Sequence, residues 1–379
     1  MKVKDICDLQ NGRAFKPSDW GTEGLPIVRI QNLNDESAPF NYYSGEYSKV
    51  HEIDDGDLLF SWSGTPGTSF GAFRWFRGKG VLNQHIFKVL PKIEIDLDYL
   101  QYALNGNLNS IIEKAHGGVG LQHITKKELD EIEIPVVDVE QQRNIVNCLL
   151  SVEKTLSLRR QEIGMLDELI KARFVEMFGK TDDKTYPSVR LGDYAKLQGG
   201  FAFKSKDFID EGVPLVQIGN VNKDYLEWDV INAVPDEYLD RYREFALKKD
   251  DLVMAMTRPI IKSLDSVKIA KVAETDLPCL LNQRVGRFQI KDKLHPVFLE
   301  ILCKTEDFKD YVERMSGNSL QPNISSKQVE DYTIILPPLK LQEHFADFVK
   351  QVDKSKVAVK RSLDGTMLLY NKLMQEYFG

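Results

Sequence analysis

The chain has 379 residues, 42% of them hydrophobic and 28% charged, and its formal net charge is −7. This length gives room for two domains of about 140 to 160 residues with connecting helices, each domain with its own core. No stretch approaches the roughly 18 apolar residues of a membrane span, and the N-terminal segment lacks the apolar run of a signal peptide. The four scattered cysteines favour a cytoplasmic location and argue against a zinc site or a disulfide framework. The negative charge argues against indiscriminate binding of nucleic acid.

The most informative segment along the chain is Leu9–Asn34, because it recurs at Leu197–Asn222. The first copy reads LQNGRAFKPSDWGTEGLPIVRIQNLN and the second reads LQGGFAFKSKDFIDEGVPLVQIGNVN. Without a gap they share 14 of 26 residues, where chance would give roughly one or two. Shorter echoes follow in the same order, and a period of about 200 residues is too long for a solenoid. The pattern therefore predicts a tandem duplication of a whole domain, which suits a target with two related halves.

Each copy reads as a mixed α/β unit, in which apolar runs bounded by glycine and proline predict strands. The predicted strands are Leu25–Leu33, Asp57–Trp62, Val81–Leu90 and Ile132–Pro135 in the first copy, and Val213–Val221, Asp251–Met256, Leu280–Ile290 and Tyr332–Pro337 in the second. Amphipathic runs predict helices at Leu97–Leu104 and Val297–Met315. Thr125 and Glu128 have the spacing of a capping box, and Ser325 and Ser326 occupy the same place in the second copy.

A long helix is predicted after each copy, because apolar residues there recur at steps of three and four. The predicted seam residues are Ile145, Leu149, Val152, Leu156, Ile163, Leu166 and Ile170 in the first helix, and Phe348, Val352, Val359, Leu363, Met367 and Tyr370 in the second. Each helix has about 40 residues and hence a length of roughly 60 Å. We expect the two helices to pack as an antiparallel pair; the alternative is two separate surface helices.

The sequence offers little for catalysis. It contains no phosphate-binding GxxxxGK[ST] loop, no His-Glu-x-x-His pair and no glycine-rich turn suited to S-adenosylmethionine. No catalytic residue and no metal ligand is therefore predicted. A catalytic arrangement assembled from distant residues remains open.

The ordered motifs resemble the specificity (HsdS) subunit of Type I restriction–modification systems. The two repeat copies carry the resemblance, together with SGNSLQPNISS at 316–326 and the junctions IPVVDVEQQRNIV and LPPLKLQEHFADFV. Essentially the whole chain is covered. The first copy departs from the motif with GGVGLQHIT at 117–125, and the second junction has Gln342-Glu343-His344 where the first has Glu140-Gln141-Gln142. The second departure weakens the expectation that the two junctions are equivalent docking sites.

The resemblance implies an α+β fold with two target-recognition domains, separated by two long helices packed as an antiparallel coiled coil. The implied domains are 1–138 and 181–340, with conserved spacer helices at 139–180 and 341–379. The implied partners are double-stranded DNA, two methyltransferase (HsdM) subunits and restriction (HsdR) subunits. The chain itself is expected to bind no cofactor, whereas the partner subunits use S-adenosylmethionine, ATP and Mg²⁺.

The segment Ser61–Lys79 is a candidate for DNA contact, because it combines small hydroxyl residues with arginines. Hydroxyls bind phosphate and arginine pairs with guanine. Its candidates are Ser61, Ser63, Thr65, Thr68, Arg74, Arg77 and Lys79. The segment looks too irregular for a regular element, and the alternative is a decorated β-hairpin with a solvated basic tip. The matching segment of the second copy offers Thr257, Arg258 and Lys262.

Amide side chains provide a second set of candidates, since Asn and Gln suit adenine edges. They are Asn83, Gln84 and His85, and in the second copy Asn282, Gln283 and Arg284. Polar turns add Gln122, His123, Asn318, Ser319, Gln321 and Asn323, and the repeat adds Lys16 and Lys204 as phosphate contacts. The alternative for these amides and turns is purely local loop chemistry.

Two functions of different classes follow. The first is a non-catalytic DNA reader that scaffolds methyltransferase and restriction subunits. The second is a protein-interaction scaffold of another defence complex, which does not bind specific DNA.

Overall fold

The computed structural model describes residues 1–65, 68–113, 116–118, 121–179, 185–317 and 320–379. By its internal contacts the chain divides into two compact units. Unit 1 comprises Met1–Gln161 and Lys360–Gly379, and unit 2 comprises Glu162–Val359. Both units mix helices and sheets, as the sequence predicts, and each contains part of both long helices.

Within its described residues, unit 1 has two four-stranded sheets and a small third sheet. The first sheet is antiparallel, with the strand order Cys7–Asn11, Ile86–Pro91, Leu58–Ser61, Gly71–Arg74. The second sheet has the order Asn41–Tyr43, Leu25–Val28, Gly80–Leu82, Glu52–Ile53. The small sheet has the order His116–Gly118, Leu121–His123, Ser63–Gly64. The short helices are Val3–Ile6, Ile30–Asn34, Leu97–Gly106, Leu108–Glu113 and Lys126–Asp130, with 3-10 turns at Pro17–Asp19 and Lys49–His51.

Unit 2 repeats this plan. Its first sheet has the order Ala195–Gly199, Val285–Ile290, Leu252–Ala255, Ile269–Lys271, and its second has the order Ala233–Val234, Val213–Val216, Leu280–Leu281. Two-stranded pairs are formed by Ser188–Arg190 with Thr333–Ile335 and by Ile260–Ile261 with Ser266–Val267. The short helices are Leu191–Tyr194, Glu237–Arg241, Pro296–Leu302, Glu306–Ser316 and Ser326–Glu330, with 3-10 turns at Ser205–Asp207, Arg243–Phe245, Lys262–Leu264 and Glu274–Asp276.

One feature of the second sheets shows the duplication directly. Leu25–Val28 runs parallel to Gly80–Leu82 in unit 1, and Val213–Val216 runs parallel to Leu280–Leu281 in unit 2. All other strand pairs of the described residues are antiparallel. The same exception at the same place in both units confirms that the sequence repeat is a repeat of fold.

The long helices span Val139–Phe178 and Leu339–Phe378. Every predicted seam residue is at least partly buried. Leu149, Leu156, Ile170, Val352 and Val359 are buried, and the half-buried ones are Ile145, Val152, Ile163, Leu166, Phe348, Leu363, Met367 and Tyr370. The seam therefore lies on the packed face of each helix.

Each unit also contains contacts between its two long-helix segments. In unit 2, Lys356 Nζ lies 2.5 Å from Asp167 Oδ1, and the rings of Phe174 and Phe345 are 5.5 Å apart. Residue numbers rise along one helix and fall along the other, so these segments are antiparallel. In unit 1, Tyr370 Oη donates to Glu153 Oε1 at 2.9 Å. Continuous coiled-coil packing over the full helices stays a prediction.

A buried glutamine near the start of each long helix joins it to its unit. Gln142 Oε1 accepts from the backbone N of Asp96 at 2.8 Å, and Gln342 Oε1 accepts from that of His295 at 2.8 Å. Asp96 and His295 are the N-caps of the helices Leu97–Gly106 and Pro296–Leu302. The junction motifs that differ in sequence therefore place an equivalent glutamine, since Gln342 takes the role of Gln142.

Two predicted strands are each divided in the structure. Val81–Leu90 and Leu280–Ile290 are both interrupted at the Asn-Gln pair. The cause is a tight turn, in which Ile86 N donates to Asn83 O and Val285 N donates to Asn282 O, each at 3.2 Å. The chain leaves the second sheet before this turn and joins the first sheet after it.

Other predicted boundaries were also wrong. The strand predicted at Leu25–Leu33 ends at Val28, and its remainder is the helix Ile30–Asn34. The helix predicted at Val297–Met315 is two helices, because Thr305 caps the second one by accepting from Phe308 N. The strand predicted at 132–135 has only an isolated bridge from Glu133 to Lys2. In contrast, the capping boxes at Thr125 and Ser325 are confirmed.

Candidate nucleic-acid interface

The segment Ser61–Lys79 contains a strand, Gly71–Arg74, that pairs with Leu58–Ser61. Arg74 Nε lies 2.7 Å from Asp98 Oδ1, and Arg77 stacks over Phe40 with 4.3 Å between guanidinium and ring. Both arginines are thus held by protein groups. The segment is more regular than the sequence predicts, in line with the hairpin alternative.

The other candidates in this segment have local partners. Ser61 is buried and donates to Ser63 O at 3.1 Å, and Thr68 Oγ1 donates to Thr65 O at 3.2 Å. Lys79 Nζ lies 3.5 Å from a Glu52 carboxylate and is largely exposed. DNA contact by this set stays a prediction.

The matching segment of unit 2 presents a different picture. Thr257 is buried, and its Oγ1 donates to Asn323 Oδ1 at 2.5 Å, while Asn323 Nδ2 donates to Gln321 O at 2.7 Å. The hydrogen bond between Thr257 and Asn323 joins the loop that contains Thr257 to the loop that contains Asn323. Arg258 follows at φ 49°, exposed, and its guanidinium makes no hydrogen bond or ion pair to any described residue. Arg258 is therefore available for a ligand. Lys262 lies in an exposed turn nearby.

An identical frame surrounds the Asn-Gln pair in both units. A Cβ on Gly12 would lie 2.1 Å from Asn83 O, and one on Gly200 would lie 2.2 Å from Asn282 O. Any side chain at these glycines would collide with that backbone. Asn83 N donates to Val28 O at 3.0 Å, and Asn282 N donates to Val216 O at 3.1 Å. We call this arrangement the corner of each unit.

Another asparagine completes each corner. Asn32 Oδ1 accepts from Arg29 N at 3.1 Å, and Asn220 Oδ1 accepts from Gln217 N at 3.0 Å. Both asparagines are buried, and their Nδ2 groups donate to backbone carbonyls of the following loop. These asparagines therefore shape the backbone where the strand of the second sheet ends.

A cavity of about 340 Å³ opens at the corner of unit 1. It is lined by Trp20, Arg29, Ile30, Gln31, Asn83, Gln84 and His85. The Arg29 guanidinium lies 4.9 Å from the centre of the Trp20 ring, and Gln84 Nε2 lies 3.1 Å from His85 Nε2. Burial lowers the pKa of His85, so this ring is neutral at pH 7. The structure thus brings together three predicted residues, Asn83, Gln84 and His85.

Sequence reasoning missed Trp20, Arg29 and Gln31. All three lie inside the repeat, at positions where the second copy has Phe208, Gln217 and Gly219. The signal was available in the alignment, because these three positions differ between the copies while Gly12, Asn32 and Asn83 have the same residues in the second copy.

The remaining candidates that the structure describes are mostly exposed. Lys16 and Lys204 are exposed, and their ammonium groups have no partner among the described residues. His123 is exposed at the end of a short strand. The side chain of Gln122 and both Asn318 and Ser319 lie outside the described residues. In unit 2, Gln283 and Arg284 are exposed, and Arg284 has φ 71°.

A second cavity, of about 290 Å³ in unit 2, is lined by both lysines and carboxylates. Within it, Lys304 Nζ lies 2.6 Å from Asp224 Oδ1 and 2.7 Å from Glu300 Oε1. Burial alone would raise the pKa of Asp224, but Lys304 holds it below its ordinary value. Because opposite charges pair across this cavity, it offers no net field for a phosphate backbone.

Among the described residues, no cluster of His, Cys, Asp or Glu has the arrangement of a metal site. The same part of the chain contains no helix long and apolar enough to cross a membrane.

The sequence matches the family model of the "Type I restriction modification DNA specificity domain" over residues 1–167 and 183–363. The Type I restriction enzyme MjaVIII specificity subunit of Methanocaldococcus jannaschii is 29% identical over 326 residues, covering 82% of this chain and 75% of that protein. The Type I restriction enzyme EcoAI specificity subunit of Escherichia coli is 28% identical over 176 residues, covering 45% of this chain and 29% of that protein.

Solved structures share the fold. The S subunit of a Type I restriction–modification system from M. genitalium has a TM-score of 0.51 at 17% identity, covering 100% of this chain and 95% of its own. A chain from a structural study of complex assembly and conformational transition of the type I restriction–modification system has a TM-score of 0.60 at 15% identity, covering 100% of this chain and 96% of its own.

Proposed function

The chain belongs to the Type I restriction modification DNA specificity domain family, and from this membership we propose that it reads a bipartite double-stranded DNA target. Residues 1–138 read one half of the target and residues 181–340 read the other half. The spacer helices at 139–180 and 341–379 set the distance between the two. The chain does no chemistry itself and directs the partner that does.

The repeated corner is the observation that carries this proposal. Both units build the same glycine-backed turn around an Asn-Gln pair. In both, the guanidinium of a nearby arginine makes no hydrogen bond or ion pair to a described residue, Arg29 in unit 1 and Arg284 in unit 2. Side chains with unused donors at a preformed backbone suit the edges of bases. Two such places in one chain suit a target of two halves.

Protein partners are expected on the outer face of the first long helix. Within unit 2, Met165 and Leu169 are 65% and 47% exposed, and their four-residue spacing places them on one side of that helix. An exposed apolar stripe of this kind is typical of a docking surface. We assign it to the methyltransferase subunits, which number two, with restriction subunits joining that complex. S-adenosylmethionine, ATP and Mg²⁺ then act in the partners, in the cytoplasm.

Methylation mapping tests the proposal. The gene is expressed with its methyltransferase partner in a host without Type I systems, and the genome is sequenced for methylated bases with and without this chain. We expect one split sequence to be methylated only when the chain is present. Purified chain that binds protein partners in a salt-insensitive manner, with no sequence preference on duplex DNA, would instead support the protein-scaffold alternative.

A further inference from the structure

We propose that the corner cavity of unit 1 is a base-reading pocket in which Arg29 recognises one guanine of the target through its O6 and N7 atoms. This inference rests on the proposed function, and it adds the residue that decides specificity and the base that it reads. Trp20 stacks with the Arg29 guanidinium, and Gln31 and Gln84 line the same cavity with their amide groups.

The comparison of the two corners separates frame from lining. The frame residues are the same in both copies, since Gly12, Asn32 and Asn83 correspond to Gly200, Asn220 and Asn282. Four of the seven lining residues differ, since Trp20, Arg29, Gln31 and His85 correspond to Phe208, Gln217, Gly219 and Arg284, whereas Ile30, Asn83 and Gln84 correspond to Ile218, Asn282 and Gln283. The differences are therefore concentrated in side chains that line the cavity, while the backbone around them is the same. Two domains that read different base sequences need different side chains on the same backbone frame.

Arg29 has the geometry of a reading residue. Its side chain is half-buried and stacked over Trp20, which is 39% exposed. Stacking restrains the guanidinium plane and leaves its N–H donors in that plane unused. No described residue accepts a hydrogen bond from this guanidinium or forms an ion pair with it. A planar pair of donors held in this way matches the O6 and N7 acceptors of guanine in the major groove.

The other three arginines of residues 1–138 lack this freedom. Arg74 is paired with Asp98, Arg77 donates to Asn32 O at 2.9 Å, and Arg13 donates to Glu46 O at 2.6 Å. His85, which also lines the cavity, adds no competing charge because it is neutral at pH 7. Among the arginines of residues 1–138, Arg29 is therefore the one whose guanidinium the structure leaves for a ligand.

Unit 2 has an arginine without a hydrogen bond or ion pair at a different position of its corner. At the position of Arg29 it has Gln217, whose Oε1 accepts from Asn232 Nδ2 at 2.7 Å, and at the position of His85 it has the exposed Arg284. The two units thus carry these guanidinium groups at different positions of the same frame. We expect the guanine contact to fall at different positions of the two half-sites.

The test uses the full chain assembled with its methyltransferase partner. Methylation mapping first gives the wild-type target. Arg29→Gln, which installs the unit 2 residue, is expected to remove the preference for guanine at one position of one half-site and to lower discrimination there by about tenfold or more. The other half-site remains unchanged. Arg13→Gln is the matched control, since it removes another stacked arginine of the same repeat outside the cavity, and we expect it to leave the target sequence unchanged.

A second measurement does not depend on the folding of Arg29→Gln. Duplexes with 7-deazaguanine at each guanine of the target lack one N7 acceptor at a time. Wild-type complex is expected to lose about tenfold in affinity at one of these positions, whereas Arg29→Lys, which keeps the charge but lacks the planar pair of donors, should lose less at the same replacement.

The possible failures are distinct. A wild-type complex that shows no sequence preference refutes the proposed function, and the pocket with it. A wild-type complex that reads a split target while Arg29→Gln and Arg29→Lys both keep the full discrimination of wild type refutes the pocket alone. A half-site that is read by unit 1 and contains no guanine also refutes the pocket alone.

Discussion

Replacing Gln342 by alanine should destabilise unit 2 by about 3 kcal/mol. The Gln342 side chain is fully buried and makes hydrogen bonds to three backbone groups. It accepts from His295 N at 2.8 Å and donates to Pro337 O at 2.8 Å and Lys293 O at 3.2 Å.

The magnitude follows from the groups that lose their partners. Each buried backbone group left without one costs roughly 1–3 kcal/mol. Only the contact with Pro337 O is fully buried, whereas those with His295 N and Lys293 O are partly exposed. Water can replace the glutamine at the two exposed groups, and for this reason we expect a value near the low end of the sum, about 3 kcal/mol.

Denaturant unfolding of the full chain, followed by circular dichroism, measures this change. Gln351→Ala is the control, because Gln351 is exposed on the same helix, and it should shift stability by less than about 0.5 kcal/mol. Hydrogen exchange should also rise in Pro296–Leu302, the helix that begins at the residue bound by Gln342. If the free energy of unfolding of Gln342→Ala lies within about 0.5 kcal/mol of the wild-type value, and hydrogen exchange in that helix is unchanged, then Gln342 does not stabilise the junction.

Three further predictions concern recognition and pH. Arg258→Ala should lower affinity for the cognate duplex and relax selectivity at one base, by about 1–3 kcal/mol. Lys204→Ala should instead weaken DNA binding evenly across sequences and reduce the slope of its salt dependence by about one unit. Equal effects of both variants on the affinity for all duplexes would contradict this division of roles. Exchange of residues 1–138 with those of a homologue should change only one half of the methylated sequence, and a change in both halves would exclude independent reading. Burial lowers the pKa of His295, against the opposing effect of Glu343 and Asp347. As pH falls below about 6.5, this histidine therefore takes up a proton in the unfolded chain before it does so in the folded chain. The stability that the neutral ring contributes is lost as the pH falls further. His295→Asn keeps an acceptor for Val297 N and should therefore lose less stability than wild type between pH 7 and 5.5 in denaturant titrations; an equal loss would show that His295 does not titrate in this way.

Much of the fold follows from patterns that are local in the chain. The capping boxes at Thr125 and Ser325 were predictable because they join residues three positions apart. The long helices were predictable because their apolar period persists without proline over about 40 residues. The duplication needed only the sequence compared with itself.

The divided strands were not predictable in this way. Val81–Leu90 has apolar residues on both sides of its Asn83-Gln84-His85 run, and only the tight turn at Asn83 reveals that its two halves belong to different sheets. The pairing of Arg74 with Asp98 likewise joins a strand to a helix 24 positions away. The apolar pattern predicts whether a residue is buried, but it does not predict in which sheet the residue lies.

The sequence by itself determined the two-copy organisation, the mixed α/β units, the long helices and the family. Only the tertiary structure decided which polar residues form the candidate site. The strands Leu25–Val28 and Gly80–Leu82 lie side by side in parallel, so that both end at the same edge of the sheet. For this reason the residues that follow the two strands, Arg29 and the pair Gln84 and His85, line one cavity together with Trp20. The tertiary structure also separated the arginines, because a guanidinium is available for DNA only where no carboxylate or carbonyl of the folded chain has already taken its donors.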